Sequence, residues 1–266
     1  FANSLTLANV ETVTGGTDTD IVVFGSIATG TTVDLGTGTD KLTLASGGGT
    51  VTASGVETVA GAAGIDVVTL GAQATGATVD LAGGVDRLVL GAFVNTVTIS
   101  NVETVTGGAS ADTVTLGVAA TVGTMSLGGG ADRLIMAATG GTVTAADVET
   151  VTGGTGIDFV TLSTQATGTT VDLGAGNDRL TLGAFANTLT VSNIETLVAS
   201  ASSDSVTFAT ALVGSVDLAG GDDALTLGAF ANTATVSNVE TITGGVSADT
   251  VVLATQARTL TVDLGD

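Results

Sequence analysis

The residues of this sequence that could do chemistry are acidic, and they recur at regular places along the chain. Eleven aspartates end short turns, many of them rich in glycine, and a run of β-branched residues follows each turn. Carboxylate oxygens are hard ligands of the kind that Ca²⁺ prefers. The turn aspartates are Asp20, Asp40, Asp66, Asp86, Asp112, Asp132, Asp158, Asp178, Asp204, Asp223 and Asp249.

Catalytic chemistry has no comparable signal. The chain contains no His and no Cys, and its acids recur in several copies, whereas general acid–base catalysis needs one cluster with divergent environments. We therefore expect that the protein is not an enzyme. A net charge of −21 disfavours nucleic acid as a partner. No apolar run of about 18 residues occurs, so we do not expect membrane insertion.

Two sequence markers show that the chain is built from repeats of 46 residues. The tripeptide Val/Ile-Glu-Thr and the tripeptide Val-Asp-Leu share this period, apart from one interval of 45. That interval places a one-residue deletion between Asp204 and Asp217. We predict one repetitive domain over residues 1–266, with six imperfect repeats, as part of a longer array. The marker glutamates are Glu11, Glu57, Glu103, Glu149, Glu195 and Glu240.

Alternating apolar and polar residues within each repeat predict short, half-buried strands. Residues 188–198, TLTVSNIETLV, form one such segment, and we count four strands in each repeat. The predicted fold is an all-β, right-handed parallel β-solenoid (β-roll) with two strands per coil, about twelve coils and a double-coil repeat. In this arrangement all turn aspartates would lie in one column on one edge. An aliphatic column would contain Val13, Val33, Val59, Val79, Val105, Met125, Val151, Val171, Leu197, Val216, Ile242 and Val262.

The turn at residues 153–161, GGTGIDFVT, resembles the nonapeptide of the RTX (hemolysin-type calcium-binding) repeats. The turn at residues 173–180 is a weaker copy, and residues 199–204, ASASSD, keep no glycine, so no ion is expected there. The resemblance implies that Ca²⁺ lies between neighbouring turns and binds aspartate carboxylates and glycine-rich backbone. The implied ligands are Asp20, Asp40, Asp66, Asp86, Asp112, Asp132, Gly153, Gly154, Gly156, Asp158, Gly174, Gly176, Asp178, Asp223 and Asp249.

Simple electrostatics favours a cation independently of the resemblance. Stacked carboxylates in adjacent coils would repel one another by ~1 kcal/mol or more, and a divalent ion would turn that repulsion into coordination. The alternative is that each aspartate only caps a tight corner by accepting backbone N–H groups. Both interpretations stay open at this point.

The resemblance implies a calcium-stabilised structural rod of a secreted bacterial surface-layer, filament or adhesin-type protein. We expect it outside the cell or on the bacterial surface, with calcium ions as partners and self-association end to end or side by side. One alternative is ice or other ligand binding by a threonine face, suggested by Thr-x-Thr pairs such as Thr12/Thr14. Intervening Thr-x-Asp coils argue against it, because charge disturbs a hydroxyl lattice. Another alternative is the C-terminal secretion module of an RTX enzyme or toxin.

Overall fold

The computed structural model describes residues 1–120, 123–255 and 259–265. It divides into two compact units, Phe1–Leu134 and Ile135–Asp266. The described residues of both units form strands and turns without any helix. Accordingly, none of them lies in a helix that could cross a membrane.

The strands of the first unit are short and follow one another at close intervals. They are β1 (Asn3–Leu7), β2 (Thr12–Gly16), β3 (Asp20–Phe24), β4 (Ala28–Gly36), β5 (Lys41–Thr43), β6 (Gly49–Ser54), β7 (Thr58–Ala62), β8 (Asp66–Leu70), β9 (Thr75–Ala82), β10 (Arg87–Val89), β11 (Thr96–Ser100), β12 (Thr104–Thr106), β13 (Thr113–Leu116) and β14 (Gly123–Ser126). Strand β15 (Arg133–Ile135) crosses the boundary at which the second unit begins.

The second unit continues the same succession of strands. They are β16 (Gly140–Ala146), β17 (Thr150–Thr152), β18 (Ile157–Leu162), β19 (Thr167–Asp172), β20 (Arg179–Leu182), β21 (Thr188–Ser192), β22 (Thr196–Val198), β23 (Ser205–Phe208), β24 (Val213–Asp217), β25 (Ala224–Thr226), β26 (Thr233–Ser237), β27 (Thr241–Thr243), β28 (Thr250–Leu253) and β29 (Thr261–Asp263).

Within each unit the odd-numbered strands form one sheet and the even-numbered strands form another. Neighbours in a sheet are parallel, as in β1 with β3 and β18 with β20. The chain therefore passes from one sheet to the other at every corner, with two strands per turn. This confirms the predicted parallel β-solenoid, which has more turns than the predicted twelve.

The core is made by the alternate residues of each strand that point away from solvent. In the odd-numbered sheet of the first unit, Val22, Leu42 and Val59 occupy neighbouring positions in successive strands and are at most 1% exposed. In the second unit, Val171 and Val191 continue the same pattern and are fully buried. Threonine dominates the outward positions between them, because a β-branched side chain packs well on a pleated surface.

The number of strands per repeat differs from the prediction. Residues 188–198 form β21 and β22, not one strand, because Asn193 between them adopts a left-handed conformation with φ 53°. Each 46-residue repeat therefore contains five strands and covers two and a half turns, where we predicted four strands and two coils. Since five is odd, equivalent residues of successive repeats lie in opposite sheets. Val59 lies in the odd-numbered sheet and Val105 in the even-numbered sheet, so the predicted aliphatic column is divided between them.

The same turn recurs in every repeat with a residue that tolerates positive φ. Asparagine and, in single cases, aspartate and glycine reach this region at little cost, whereas other residues avoid it. Positive φ here ends one strand and redirects the chain into the next sheet. The residues are Asn9, Gly55, Asn101, Asp147, Asn193 and Asn238, with φ between 52° and 57°.

The deletion predicted between Asp204 and Asp217 removes a β-bulge. Strands β4, β9 and β19 each shift register at a glycine with positive φ, namely Gly30, Gly76 and Gly168. The corresponding strand β24 pairs with β26 without any shift. The missing residue is therefore the extra residue of the bulge, so the ladder stays intact without it.

Candidate functional site

The turn aspartates lie at corners where a strand begins, and all of them are buried except the half-buried Asp249. Asp66, Asp158 and Asp178 are fully inaccessible to solvent, and Asp20, the least buried of the strand-initiating aspartates in the first unit, is 2% exposed. Burying a carboxylate is unfavourable unless hydrogen bonds replace its water. The corners must therefore supply those hydrogen bonds.

One oxygen of most of these aspartates accepts a backbone N–H from the preceding turn of the same sheet, whereas Asp66 and Asp158 accept an N–H from their own turn, at Ala62 and Gly154. The backbone N–H of Asp158 donates to Oδ1 of Asp178 at 2.7 Å. The same bond joins Asp66 to Asp86 at 2.7 Å. Because donor and acceptor belong to successive turns of one sheet, each bond ties two turns together at their corner. This is the corner-capping geometry that the sequence left open as an alternative.

The marker glutamates perform the same role one turn later. The backbone N–H of Asp178 donates to Oε2 of Glu195 at 2.7 Å, and that of Asp86 donates to Oε2 of Glu103 at 2.7 Å. The sequence predicts no function for these glutamates beyond marking the repeat. Their constant distance of 17 residues from the aspartate that donates to them was the available signal.

Asparagine is a further corner residue that sequence reasoning missed. Asn187 is fully buried, and its Nδ2 donates to the carbonyl of Phe185 at 2.7 Å and to Oδ1 of Asp204 at 2.8 Å. Its Oδ1 accepts the N–H of Ala166 at 3.0 Å. Asn95 and Asn232 make equivalent contacts. The recurring Phe-x-Asn sequence is the signal that could have revealed them.

These residues form what we call the corner ladder, a fixed order of side chains at the strand starts of one sheet. The order is Asn, Asp, Asp, Glu and then a small or apolar residue, after which it begins again, with glycine in place of Asn at Gly49 and Gly141, opposite Asp66 and Asp158. In the odd-numbered sheet of the first unit it runs Asn3, Asp20, Asp40, Glu57, Ala74, Asn95 and Asp112. In the even-numbered sheet of the second unit it runs Asp158, Asp178, Glu195, Leu212, Asn232 and Asp249.

The predicted single column of aspartates is therefore wrong. The odd number of strands per repeat sends successive aspartate pairs to opposite sheets, and Glu, a small residue and Asn separate the pairs. The aspartates at strand starts of the odd-numbered sheets are Asp20, Asp40, Asp112, Asp132, Asp204 and Asp223. Those of the even-numbered sheets are Asp66, Asp86, Asp158, Asp178 and Asp249.

The second oxygen of most corner aspartates is buried and has no hydrogen-bond partner. Such an oxygen is costly as a bare charge, and it is available to a proton or a cation. The glycine-free turn at Asp204 shares this feature with the glycine-rich ones. The orphaned atoms are Oδ2 of Asp40, Asp86, Asp132, Asp178, Asp204, Asp223 and Asp249, and Oδ1 of Asp66 and Asp158.

Burial and hydrogen bonding change the pKa of several corner aspartates. Desolvation, followed by the nearby charge of Asp178, raises the pKa of Asp158 to about 6. Desolvation also raises the pKa of Asp223 to about 6, with added repulsion from Asp204 and Glu240. The pKa of Asp20 is lowered instead, chiefly because the Asn3 side chain donates a hydrogen bond to it.

The turn glycines named in the sequence analysis are required by the close approach of neighbouring turns. A Cβ on Gly153 would collide with the backbone of Leu173, and one on Gly156 would collide with the backbone of Thr139. A Cβ on Gly176 would lie 2.6 Å from the carbonyl oxygen of Gly156. Gly174 has φ 82°, which favours glycine. These positions thus have a packing reason whether or not an ion is bound.

If the corners bind calcium, the carboxylate oxygens that lack a hydrogen-bond partner are the atoms that would coordinate it. Among the described residues, no three acidic side chains converge in a group that could hold a metal ion. A Ca²⁺ ion takes six to eight oxygen ligands, so backbone carbonyls of the turns would have to complete any site. The free oxygens of paired aspartates, such as Asp158 and Asp178, are the carboxylate donors that fit this role.

The Val-Asp-Leu aspartates hold the opposite ends of the strands. Oδ1 of Asp172 accepts Nδ2 of Asn193 at 2.7 Å and the N–H of Gly174 at 3.1 Å. Asp217 accepts Nδ2 of Asn238 at 2.8 Å. These acids stabilise the left-handed asparagine turn of the next repeat.

Comparison with known proteins assigns no relationship to this chain. No family model matches it, and no similar protein was found among curated proteins or solved structures. The function is therefore inferred from the geometry of the corners and of the sheet faces.

Proposed function

We propose that this chain is a structural module, a stiff repetitive solenoid that forms a rod-like segment of a secreted bacterial surface-layer, filament or adhesin-type protein. The observation that carries the proposal is the corner ladder. In the described part of the chain, many successive turns are tied together by a buried or partly buried hydrogen bond that a side chain accepts from backbone, in addition to the sheet bonds. Such ties oppose the splaying of turns, which is what a load-bearing segment requires.

The composition supports a structural role over a binding or catalytic one. Many acids of the chain make contacts within the repeat itself, either at corners, as with Asp178 and Glu195, or at left-handed turns, as with Asp172. A protein that uses the same residues in every repeat distributes stability along its length, as solenoids do. The acidic surface also keeps separate molecules apart in solution.

The proposal includes calcium as the ion that the orphaned carboxylate oxygens bind. Bound calcium would supply neutralising charge and additional cross-links between turns, and extracellular calcium is compatible with a secreted protein, as the resemblance to RTX repeats implies. Asp158 and Asp178 would contribute Oδ1 and Oδ2, respectively. Since the corner N–H groups already have acceptors, we expect calcium to add stability to a fold that forms without it.

A calorimetric titration of the chelator-treated chain with CaCl₂, and separately with MgCl₂, tests the calcium part of the proposal. We expect saturable calcium binding and a higher thermal midpoint with calcium, with little effect of magnesium. The double variant D158N/D178N should lower the number of bound ions. D172N/D217N removes the same charge away from the corners and should bind as the natural chain does.

Two results would contradict the calcium proposal. One is the absence of a calcium-specific rise in the thermal midpoint, and the other is an equal loss of binding in both double variants. The structural role would then rest on the corner hydrogen bonds alone. It would itself be contradicted if corner variants left the stability of the chain unchanged.

A further inference from the structure

The outer face of the odd-numbered sheet in the second unit carries an uncharged patch that the corner chemistry does not use. Four neighbouring strands, β21, β23, β25 and β27, contribute the patch, which we call the threonine platform. Eight of its nine residues carry a hydroxyl group, and none is buried. The platform consists of Thr188, Thr190, Ser192, Ser205, Thr207, Ala224, Thr226, Thr241 and Thr243.

The strand register arranges these residues as a regular two-dimensional array. One row runs Thr190, Thr207, Thr226 and Thr243, each directly opposite the next on a neighbouring strand. A second row, two residues earlier in each strand, runs from Thr188 to Thr241. Parallel strands lie about 4.8 Å apart, and alternate residues of one strand lie about 6.6 Å apart. The array therefore has two fixed repeat distances.

The hydroxyl groups of the platform are held rigidly and have free hydrogen-bonding capacity. Within the described part of the chain, no hydrogen bond joins any platform hydroxyl to another residue. The platform rests on a fully packed layer in which Val191 and Ile242 are completely buried. Threonine is stiff at χ1 because its Cβ is branched. Six of the eight hydroxyl residues are threonines, so most of the platform presents its methyl and hydroxyl groups from β-branched side chains on a packed sheet.

The observed register removes the objection raised by the Thr-x-Asp coils. Asp217 lies on β24 in the even-numbered sheet, so it does not enter the platform. Asp172 on β19 and Asp263 on β29 lie opposite Ser192 and Thr243, at the two borders of the platform. The half-integral number of turns per repeat is what separates the charged coils from the threonine coils on this face.

The charge and the side-chain types of the platform restrict the classes of partner that it can bind. A neutral patch on a chain of net charge −21 offers no attraction to a polyanion, and a second copy would bring its own acidic surface. The platform contains no aromatic residue on which a sugar ring could stack. Its complement is an uncharged, flat lattice of hydrogen-bonding groups. We infer that the threonine platform binds the surface of ice.

The opposite sheet of the same unit provides a matched control. Thr161 and Thr181 are outward-facing neighbours on β18 and β20, as Thr207 and Thr226 are on β23 and β25. Their surroundings are irregular, because the exposed Phe159 and Arg179 lie beside them on the same strands. Tyrosine is favoured in strands, so the same substitution can be made on either face.

The test is thermal hysteresis and partition of the full chain into slowly grown ice, in a calcium-containing buffer. We expect the natural chain to show hysteresis and to be enriched in ice. T207Y/T226Y should lose both properties, while T161Y/T181Y keeps them. Circular dichroism and the thermal midpoint confirm that each variant is folded, and the single variants T207Y and T226Y replace the double variant if it is not.

Three results would overturn the inference. The natural chain could stay in the liquid and show no hysteresis, or both double variants could bind ice equally well. The third is binding to crystalline cellulose or chitin, and not to ice, that is lost in T207Y/T226Y. That result would assign the platform to a carbohydrate lattice. None of these results bears on the corner ladder, so the structural proposal is tested separately.

Discussion

At the scale of single residues, the corner side chains combine strong local hydrogen bonding with unsatisfied acceptor capacity. Asn187 satisfies all of its polar atoms, whereas Asp178 and Asp158 each leave one buried oxygen without a partner. Buried polar groups are usually paired in folded proteins. The asparagine is therefore a fixed structural element, and the aspartates are the corners that respond to protons and ions.

Replacement of Asn187 by alanine should destabilise the chain strongly. The variant leaves the N–H of Ala166 and the carbonyl of Phe185 without their partners, and we expect a loss of about 3 kcal/mol. Urea unfolding followed by circular dichroism measures the effect. The exposed turn residue Asn177 is the control, and N177A should be nearly neutral. Equal effects of the two substitutions would contradict the role assigned to Asn187.

In the absence of calcium, the stability of the chain should rise as the pH falls from 7 towards 4. Burial raises the pKa of Asp158 and Asp223 from 3.8 to about 6, so the folded state binds protons that the unfolded state releases. The destabilising charge is fully present above about pH 6 and is lost as these groups protonate. Thermal midpoints measured in EDTA across this range check the sign.

The variant D158N serves as the control for the pH experiment. Its amide keeps an acceptor oxygen but cannot ionise, so the slope of stability against pH should become smaller. A natural chain that loses stability steadily from pH 7 to pH 5 would contradict the assignment of raised pKa values to these corners.

Part of this residue-level chemistry could be predicted from the sequence. The period and the turn context identified the aspartates as a set, because each has the same neighbours in every repeat. The hydrogen-bond partners could not be predicted, because they lie 17 to 21 residues away in a neighbouring turn. Only the pairing register brings Ala166, Asn187 and Asp204 together at one corner.

At the scale of strands and turns, the spacing between successive turns depends on glycine. Gly176 faces the carboxylate of Asp178 and the backbone of Gly156 at distances that no Cβ tolerates. Larger side chains at such positions would push neighbouring turns apart and weaken the corner bonds. The glycines of the turns and the acids of the corners are thus two parts of one packing arrangement.

Substitution of Gly176 by alanine should cost about 2 kcal/mol, because the added methyl group overpacks the corner. Gly16 supplies a control from the first unit, since a Cβ there meets no atom within 4 Å. G16A should leave the urea midpoint nearly unchanged. A tolerated G176A, with the same midpoint as the natural chain, would show that the turns are not packed as closely as described.

The strands themselves were predicted more reliably than their grouping. Alternation placed most strands correctly, since it reflects the inward and outward faces of a sheet. It failed at residues 188–198 because Ser192 and Thr196 preserve the polar pattern across the bend at Asn193. Asparagine before Val or Ile in four of the repeats, at Asn9, Asn101, Asn193 and Asn238, was the available signal for a left-handed turn.

At the scale of the whole chain, the five-strand repeat distributes equivalent residues over both sheets. In the first unit Lys41 lies in the odd-numbered sheet and Arg87 in the even-numbered sheet, although both follow a corner aspartate. Each face therefore receives a mixture of repeat positions. This is why uncharged runs such as the threonine platform arise in one sheet while charged residues interrupt the other.

We propose that the corner ladder, and not a bound ion, brings the turns together. Corner N–H groups along the ladder have side-chain acceptors, as Asp158 has in Asp178 and Asp178 has in Glu195. A fold secured in this way should form in the absence of metal, with calcium acting only on the orphaned oxygens.

Far-UV circular dichroism of the chain in excess EDTA at neutral pH tests whether the corner hydrogen bonds are sufficient for folding. We predict a β-sheet spectrum with a cooperative thermal transition in EDTA, and a higher midpoint after calcium is restored. A disordered spectrum in EDTA that becomes β-sheet only when calcium is added would contradict the claim, since the corner hydrogen bonds would then be unable to hold the turns by themselves.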